Sequence, residues 1–373
     1  MKNILVILGT RPEAIKLAPV ILELRKSKDY NVLVCNTEQQ KELSNQTLSF
    51  FNINADFNLD VMLPNQTLAD VQSRILTSLS EIYKNNAIDA TIVQGDTMTV
   101  FCGALASFYN KIPVFHVEAG LRSYNLFEPF PEEAMRQMTA RITDLHFAPT
   151  IKAKEALLKE GISENKISLT GNTVIDALKC LSYDTINTAI NNLIEKGIKL
   201  NDKLTLITAH RRENHGERLD KILSAIVKLS KEFSDHQFVL PVHPNPNVKE
   251  KVYNILKNIP NIILTSPMDY PELVCMMKNA KLVLTDSGGI QEEAPTFGVP
   301  VLVMRYETER KEGIETGFAK LVGADEDKII SEVTSVLSLP KSETRKDGSL
   351  NPYGNGNASC VIREVVDEYF KKN

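Results

Sequence analysis

Short apolar, β-rich runs alternate with amphipathic segments along the whole chain, and this rhythm restricts the possible folds more than any other feature. The runs are nearly continuous in apolar residues, as is typical of strands covered on both faces of a parallel sheet. Such alternation predicts parallel strands joined by right-handed helical crossovers. The predicted strands are Ile4–Leu8, Val32–Asn36, Ala90–Gln94, Val114–Val117, Leu145–Ala148 and Ile167–Thr170, then Leu204–Thr208, Phe238–Val242, Ile262–Leu264, Leu282–Thr285, Val301–Met304 and Lys320–Val322.

Six predicted strands in each half favour two doubly wound, Rossmann-like α/β domains over one barrel, and a length of 373 residues suits two domains. The boundary is expected after Gly171, giving domains 1–171 and 172–357. The amphipathic segment 358–373 is expected to pack back on the first domain. Because doubly wound sheets bind ligands at the carboxyl ends of their strands, the site is expected in a central cleft between the domains.

Charge and cysteine content exclude several classes of function. The chain has 43 Lys and Arg against 47 Asp and Glu, a net charge of −4, and shows no basic footprint for nucleic acid or an anionic membrane. The apolar start ends at Gly9, too short for a secretion signal, and no run could span a membrane. Five scattered cysteines lack metal-ligand spacing, which predicts no metal site and reduced thiols in the cytoplasm.

In the first half, polar residues follow several predicted strands. After Ile4–Leu8, Gly9 permits a tight turn, Pro12 suits the first helical position, and the helix start with Arg11 and Lys16 offers an anion seat. The alternative is an ordinary helix start with solvated cations.

Acidic residues mark the other strand ends of the first half. Asp96 is predicted to be either the N-cap of the next helix or a carboxylate of the site. The stretch His116–Arg122 places Glu118 between a His and an Arg, and burying such groups is costly unless they pair or take part in chemistry. Glu132 and Glu133 open a helix, where one of them could serve only the helix dipole.

The second half offers a histidine and a glycine loop. His210, which can titrate near neutral pH, ends a strand beside Arg211. Ser287-Gly288-Gly289 lets the backbone approach a phosphate as a helix begins, and Glu293 one turn later could hold sugar hydroxyls. No dinucleotide or ATP-binding loop motif is present, so no cofactor is predicted.

Cations for a diphosphate, several acids and one histidine suit nucleotide-sugar chemistry, and the motif set resembles the non-hydrolysing UDP-N-acetylglucosamine 2-epimerases. The resemblance implies the two-domain architecture of nucleotide-sugar glycosyltransferases, called GT-B, and usually a homodimer. It also implies reversible conversion of UDP-GlcNAc to UDP-ManNAc for surface polysaccharide precursors, by anti elimination of UDP to 2-acetamidoglucal and re-addition. The matching stretches are Gly9–Pro19, Gly95–Thr97, His116–Arg122, Pro131–Glu133, Gly171–Leu178, Thr208–Asn214, Leu284–Pro295 and Asn351–Gly354.

The resemblance also implies roles for individual residues. Asp96, Glu118 and Glu132 would be the acid and base groups on the two faces of C2, and His210 would stabilise or protonate the leaving phosphate. The residues that would hold UDP and its sugar are Arg11, Lys16, Arg211, Leu273, Ser287, Gly288, Gly289, Glu293 and Arg305.

Some positions depart from the family pattern. Gln39, Gln66 and His243 match a second, activating UDP-GlcNAc site of bacterial members, but Lys41, Glu42 and Asn65 do not, so the match is incomplete. Taken by itself, the position of His243 in a rigid Pro-rich turn indicates a structural role. Leu273 replaces an aromatic residue common near the uracil.

Three alternatives stay open. A hydrolysing epimerase would release ManNAc, although its relatives tend to differ from this chain at Pro12 and Ala14. A glycosyltransferase on the same fold would leave Glu118, Glu132 and His210 without an obvious joint role. A non-catalytic UDP-sugar-binding protein would not depend on Glu118.

Overall fold

The computed structural model describes residues 1–372, and its contacts divide the chain into two compact units. The first contains Met1–Cys180 and the C-terminal residues from Tyr353 on, and the second contains Leu181–Pro352. The predicted α/β fold with two doubly wound sheets is confirmed. The exact boundaries expected from the sequence, after Gly171 and before Ala358, stay a prediction.

Within residues 1–372, the first unit has a seven-stranded parallel sheet in the order β3-β2-β1-β4-β5-β6-β7. The prediction of six strands was wrong by one, because β3 has only two residues and no apolar run to mark it. The strands are β1 (Lys2–Leu8), β2 (Tyr30–Asn36), β3 (Phe57–Asn58), β4 (Ala90–Gln94), β5 (Val114–Val117), β6 (Leu145–Ala148) and β7 (Ile167–Leu169).

The helices of the first unit include the C-terminal one. Its start is fixed by Asp176, whose carboxylate accepts hydrogen bonds from the backbone N–H of Ala358 at 3.2 Å and of Ser359 at 2.8 Å. The helices are α1 (Arg11–Leu24), α2 (Lys41–Phe50), α3 (Leu68–Asn85), α4 (Met98–Tyr109), α5 (Glu132–Arg141), α6 (Ile151–Lys159), α7 (Thr173–Cys180) and α16 (Ala358–Lys372).

The second unit has a six-stranded parallel sheet in the order β10-β9-β8-β11-β12-β13, within the same described part of the chain. Its strands are β8 (Leu204–Thr208), β9 (Gln237–Pro241), β10 (Ile262–Thr265), β11 (Leu282–Thr285), β12 (Val301–Val303) and β13 (Ala319–Leu321). Its helices are α8 (Tyr183–Glu195), α9 (Glu217–Glu232), α10 (Pro246–Leu256), α11 (Tyr270–Asn279), α12 (Gly288–Glu293), α13 (Lys311–Glu315), α14 (Glu326–Leu337) and α15 (Lys341–Thr344).

The strand order determines where each unit can present a ligand site. In both sheets the order reverses beside the first strand of the unit, between β1 and β4 and between β8 and β11. Ligands of open parallel sheets bind at the carboxyl ends of the strands at such a reversal. These strands are apolar and buried, so polar groups just beyond them are held on a rigid base. None of the helices within residues 1–372 combines the length and apolar character needed to cross a membrane.

Candidate active site

The carboxyl end of β1 leads directly into α1. Thr10 caps the helix, and the Glu13 side chain returns to the cap, which forms a capping box. The helix therefore begins at Arg11, and Pro12 takes its second position, not the first as predicted. Proline is tolerated there because its missing N–H would have no partner within the helix.

Close packing behind β1 requires glycine at position 9. A Cβ atom on Gly9 would lie 2.0 Å from Oγ1 of Thr37 and 2.6 Å from Oγ1 of Thr99. Thr99 also donates to Oε1 of Gln39 at 2.9 Å, so Gln39 belongs to this packed network. Gln66 lies in the loop before α3, where its side chain donates to the carbonyl of Val61 at 3.0 Å.

Lys16 and Glu118 form a buried ion pair between α1 and the end of β5. Nε2 of Gln94 donates to the same carboxylate oxygen of Glu118 at 3.2 Å. Glu118 has a φ of 63°, a left-handed conformation that costs a non-glycine residue about 1 kcal/mol or more. Two residues on, a Cβ on Gly120 would lie 2.2 Å from the carbonyl oxygen of Ala153, so the turn after Glu118 also requires glycine. Strain of this kind persists where the surrounding structure imposes it, and it clusters at functional sites.

Asp96 lies in the loop between β4 and α4, but it does not cap α4. The cap is its neighbour Thr97, whose side chain accepts from the N–H of Val100. Asp96 instead binds the guanidinium of Arg136, with Nε to Oδ2 at 2.8 Å and Nη2 to Oδ2 at 2.6 Å. The N-cap interpretation of Asp96 was therefore wrong, because the residue one position later has the geometry to cap.

The two acids at the start of α5 have different surroundings. Glu133 is buried and accepts from the N–H groups of Ser123 and Tyr124 and from Arg136. Burial raises the pKa of Glu133, but these hydrogen bonds outweigh it and hold the pKa below its usual range. Glu132, the first residue of α5, is only partly buried. Glu133 thus organises the loop, and Glu132 is the accessible acid of the two.

Both residues that flank Glu118 in its motif have structural roles. Arg122 forms two bonds to Glu160, at 2.6 and 2.9 Å. His116 is buried, and its Nε2 donates to the carbonyl of Gly95 at 2.7 Å. Burial lowers the pKa of His116 to about 4, so its ring is neutral at physiological pH.

Asp286, at the end of β11, organises the corresponding edge of the second unit. Its buried Oδ2 accepts from the backbone N–H groups of His210 and Arg211, both at 2.9 Å, and from Nδ2 of Asn214 at 3.1 Å. Oδ1 lies 2.9 Å from Nδ1 of His210. Burial raises the pKa of Asp286, but His210 and the backbone N–H groups hold it below its usual value.

This contact orients the imidazole of His210. An ionised Asp286 requires the proton on Nδ1, and Nε2 is then the nitrogen left for a ligand. The His210 side chain is 38% exposed, and its ring stacks on that of His243 at 6.2 Å. His243 is thus part of the His210 surroundings. Its Nδ1 accepts from the N–H of Asn245 at 3.2 Å, and burial lowers its pKa.

The glycine loop after β11 is held by its own backbone contacts. The N–H of Ser287 donates to Oγ1 of Thr285 at 2.9 Å, and its carbonyl accepts from Gln291 at 3.0 Å. A Cβ on Gly288 would lie 3.1 Å from the guanidinium carbon of Arg310, and one on Gly289 would lie 3.4 Å from Oε1 of Glu293. Two glycines therefore leave the loop backbone open beside a cation and a carboxylate.

The remaining predicted binding residues lie around this loop. Nε of Arg305 binds Glu213 at 2.6 Å, and Nη1 binds Glu309 at 2.9 Å, so this cation is paired before any ligand arrives. Leu273 lies on α11 and is partly buried. In the described residues, the Nε of Arg211 is a buried donor without a hydrogen-bond partner.

Three organising residues were missed by the sequence analysis: Glu13, Arg136 and Asp286. Asp286 stands directly after the fully buried strand β11, and a carboxylate in that position must find donors, so its place in the motif was a usable signal. The sequence signal at Glu13 was its place in the Thr10-x-x-Glu13 capping box, which predicts the bonds to its own cap but not the bond to Thr97. The pairing of Arg136 with Asp96 gave no signal, because Asp96 comes from the end of another strand. Among residues 1–372, no group of three or more His, Cys, Asp or Glu side chains has an arrangement suited to a metal ion.

Comparisons with known proteins identify the family. The family model described as UDP-N-acetylglucosamine 2-epimerase matches residues 22–367. A protein of that name from Neisseria meningitidis is 45% identical over 98% of this chain and 99% of its own length. The crystal structure of UDP-GlcNAc 2-epimerase from N. meningitidis bound to UDP-GlcNAc has a TM-score of 0.88 and 44% identity, and it covers 99% of this chain and all of that one.

More distant structures share the fold. The Methanocaldococcus jannaschii UDP-GlcNAc 2-epimerase in complex with UDP-GlcNAc and UDP has a TM-score of 0.81 at 36% identity, covering 99% of this chain and 100% of that one. The glycotransferase of kitacinnamycin has a TM-score of 0.61 at 13% identity, covering 97% and 98% of the two chains. This last likeness concerns the fold alone and agrees with the GT-B class expected.

Proposed function

The chain belongs to the UDP-N-acetylglucosamine 2-epimerase family, and on that basis we propose that it interconverts UDP-GlcNAc and UDP-ManNAc by eliminating and re-adding UDP. In the forward step a carboxylate takes the proton from C2, the C1–O bond breaks with its electron pair going to UDP, and a C1=C2 double bond forms. UDP then adds back to C1 while C2 receives a proton on the opposite face. The observation that carries this proposal is Glu118 at the end of β5, whose backbone has a strained positive φ and whose carboxylate is ion-paired with Lys16.

We assign the proton transfers to residues of the first unit. Glu118 accepts hydrogen bonds from Lys16 and Gln94, which fix the orientation in which its carboxylate would take the C2 proton. Asp96, fixed by Arg136, and the accessible Glu132 are the candidates for the other face of C2. Two groups are needed because each face requires its own proton donor or acceptor.

We assign the leaving UDP to residues of the second unit. His210, with Nδ1–H directed at Asp286 and a second proton on Nε2, would donate from Nε2 to a phosphate oxygen and offset the charge that develops there. The open Ser287-Gly288-Gly289 backbone would hold phosphate or ribose oxygens, and Glu293 would accept from hydroxyls. Further contacts to UDP or its sugar are assigned to Arg11, Lys16, Arg211, Leu273 and Arg305.

Proton NMR of UDP-GlcNAc with the purified chain in D2O tests the reaction. We expect intact UDP-ManNAc, with deuterium at C2 in both epimers, because the proton removed exchanges with solvent before C2 is protonated again. Heat-denatured protein serves as the control. Free ManNAc with UDP would instead indicate a hydrolysing enzyme, and an unchanged spectrum despite UDP binding would contradict the proposal.

We also propose that the chain acts as a homodimer in the cytoplasm and supplies precursors for a surface polysaccharide. The family resemblance supports all three, and two large side chains at the end of α4, Phe108 and Tyr109, lie more than half exposed as a contact surface would require. Light scattering should give a mass near twice the 41.7 kDa of one chain. A mass of one chain at micromolar concentration would contradict the dimer.

A further inference from the structure

Glu13 is a buried carboxylate that the proposed reaction does not use directly. Its Oε2 accepts from the backbone N–H of Gly9 at 2.6 Å and of Thr10 at 3.0 Å. Its Oε1 accepts a short hydrogen bond from Oγ1 of Thr97. Glu13 therefore joins the loop after β1 to the loop after β4, where Thr97 directly follows Asp96.

The bond to Thr97 distinguishes this carboxylate from an ordinary capping residue. Helix α3 has the same kind of capping box, made by Thr67 and Asp70. There the Asp70 carboxylate accepts hydrogen bonds from the backbone N–H and the hydroxyl of Thr67, and both residues are exposed. Glu13 accepts from the N–H groups at its own helix start and in addition binds Thr97, the residue next to the candidate acid or base Asp96. A helix start needs only the first of these functions.

The electrostatics around Glu13 point the same way. Burial raises the pKa of Glu13 to about 7, although its three hydrogen bonds lower it, and the negative charge of Asp96 raises it further. The nearby cations have other carboxylate partners, since Lys16 on α1 binds Glu118 and Arg136 on α5 binds Asp96. Glu13 thus changes its charge in the neutral range, next to Asp96.

We propose that Glu13 is a positioning residue of the epimerisation site, which fixes Asp96 through Thr97 and acts on it by its own charge. This inference rests on the proposed function. When Glu13 is ionised, it repels the carboxylate of Asp96, and when it is neutral this repulsion is absent. The rate of C2 proton exchange should therefore depend on the protonation of a group that never touches the substrate.

The variant Glu13→Gln keeps an oxygen for the two N–H groups, removes the charge, and replaces the oxygen that accepts from Thr97 by an NH2 group that cannot accept. We expect kcat to fall about tenfold with KM for UDP-GlcNAc nearly unchanged, because Asp96 is displaced from its reactive geometry and the UDP contacts stay. The ratio of the wild-type to the variant kcat should rise about fivefold from pH 6 to pH 8, because Glu13 is mostly neutral, like Gln, at pH 6 and mostly ionised at pH 8. The measurement is C2 deuterium incorporation from pH 5.5 to 8.5.

Asp70→Asn is the matched control, since it alters a capping box of the same form away from the site. We expect it to leave kcat and its pH profile unchanged. If Glu13→Gln does not fold, Thr97→Val breaks the same link and should lower kcat similarly. If the wild type is active and the dependence of its kcat on pH is the same as that of Glu13→Gln, the inference is overturned. If the wild type is inactive, the proposed function itself is overturned.

Urea unfolding gives a second readout that does not depend on activity. A native pKa near 7 against an ordinary 4.5 means that the folded chain holds the Glu13 proton longer than the unfolded chain does. The stability contributed by neutral Glu13 is therefore complete below about pH 4.5 and is lost as the pH rises towards 7. We expect the wild-type urea midpoint to fall relative to that of Glu13→Gln across this range, and parallel midpoints would contradict the inference.

Discussion

Glu118→Gln is expected to lower the rate of C2 proton exchange by about a thousandfold, within the range that a positioned acid or base contributes. The amide has nearly the shape of the carboxylate and keeps an oxygen that can accept from Lys16 and Gln94. It cannot accept the C2 proton at any accessible pH. UDP binding, which we assign mainly to the second unit, should change little.

The variant also removes the charge that Glu118 brings to the buried ammonium of Lys16, which costs stability. Glu160→Gln controls for this effect, because it breaks the equally buried pair with Arg122 in the same unit. We expect both variants to unfold at lower urea concentration and only Glu118→Gln to lose turnover. Retention of more than a tenth of the wild-type rate by a folded Glu118→Gln would exclude Glu118 as the base.

The fold was predictable because most of its strands are nearly continuous apolar runs in the sequence. β4, β5, β6, β8 and β11 have the bounds expected from the sequence alone. The runs are apolar because the sheets are covered by helices on both faces, so burial leaves a direct mark on composition. β3 leaves no such mark, since its two residues join the sheet through pairing with β2 alone.

The candidate site was predictable only in part. The chemistry-bearing residues stand at strand ends, and the parallel topology brings those ends to one edge of each sheet. Which of them pair could not be predicted, because pairing depends on contacts far apart in sequence. Glu13 meets Thr97 across 84 positions, and Asp286 meets the N–H of His210 across 76.

His116 illustrates the opposite error, a reactive residue type in a structural place. Its position next to Glu118 in the chain suggested shared chemistry. Residues two apart share one face only within a strand. β5 ends at Val117 and Glu118 has a φ of 63°, so the alternation does not extend to Glu118, and the His116 side chain is buried against the carbonyl of Gly95. The histidine that can act, His210, differs from it by an ionised partner and an exposed edge.

Asp286→Asn, which changes this partner of His210, is expected to lower kcat by about a hundredfold or more while UDP still binds. The amide oxygen can replace Oδ2 and accept from the N–H groups of His210 and Arg211. The amide NH2 then faces Nδ1 of His210, which must become the acceptor, so the ring carries its proton on Nε2 and can no longer gain a second one at low cost.

The loss should appear in the step that needs positive charge at the leaving phosphate. Wild type and variant should bind UDP with similar affinity in calorimetry, because the loop after β11 stays in place, and only turnover should fall. Glu272→Gln is the matched control, since it alters a buried, ion-paired carboxylate of the same unit whose partner is Lys196. A folded Asp286→Asn with wild-type kcat would mean that His210 works without a fixed tautomer, and the role assigned to it at the leaving group would have to be abandoned.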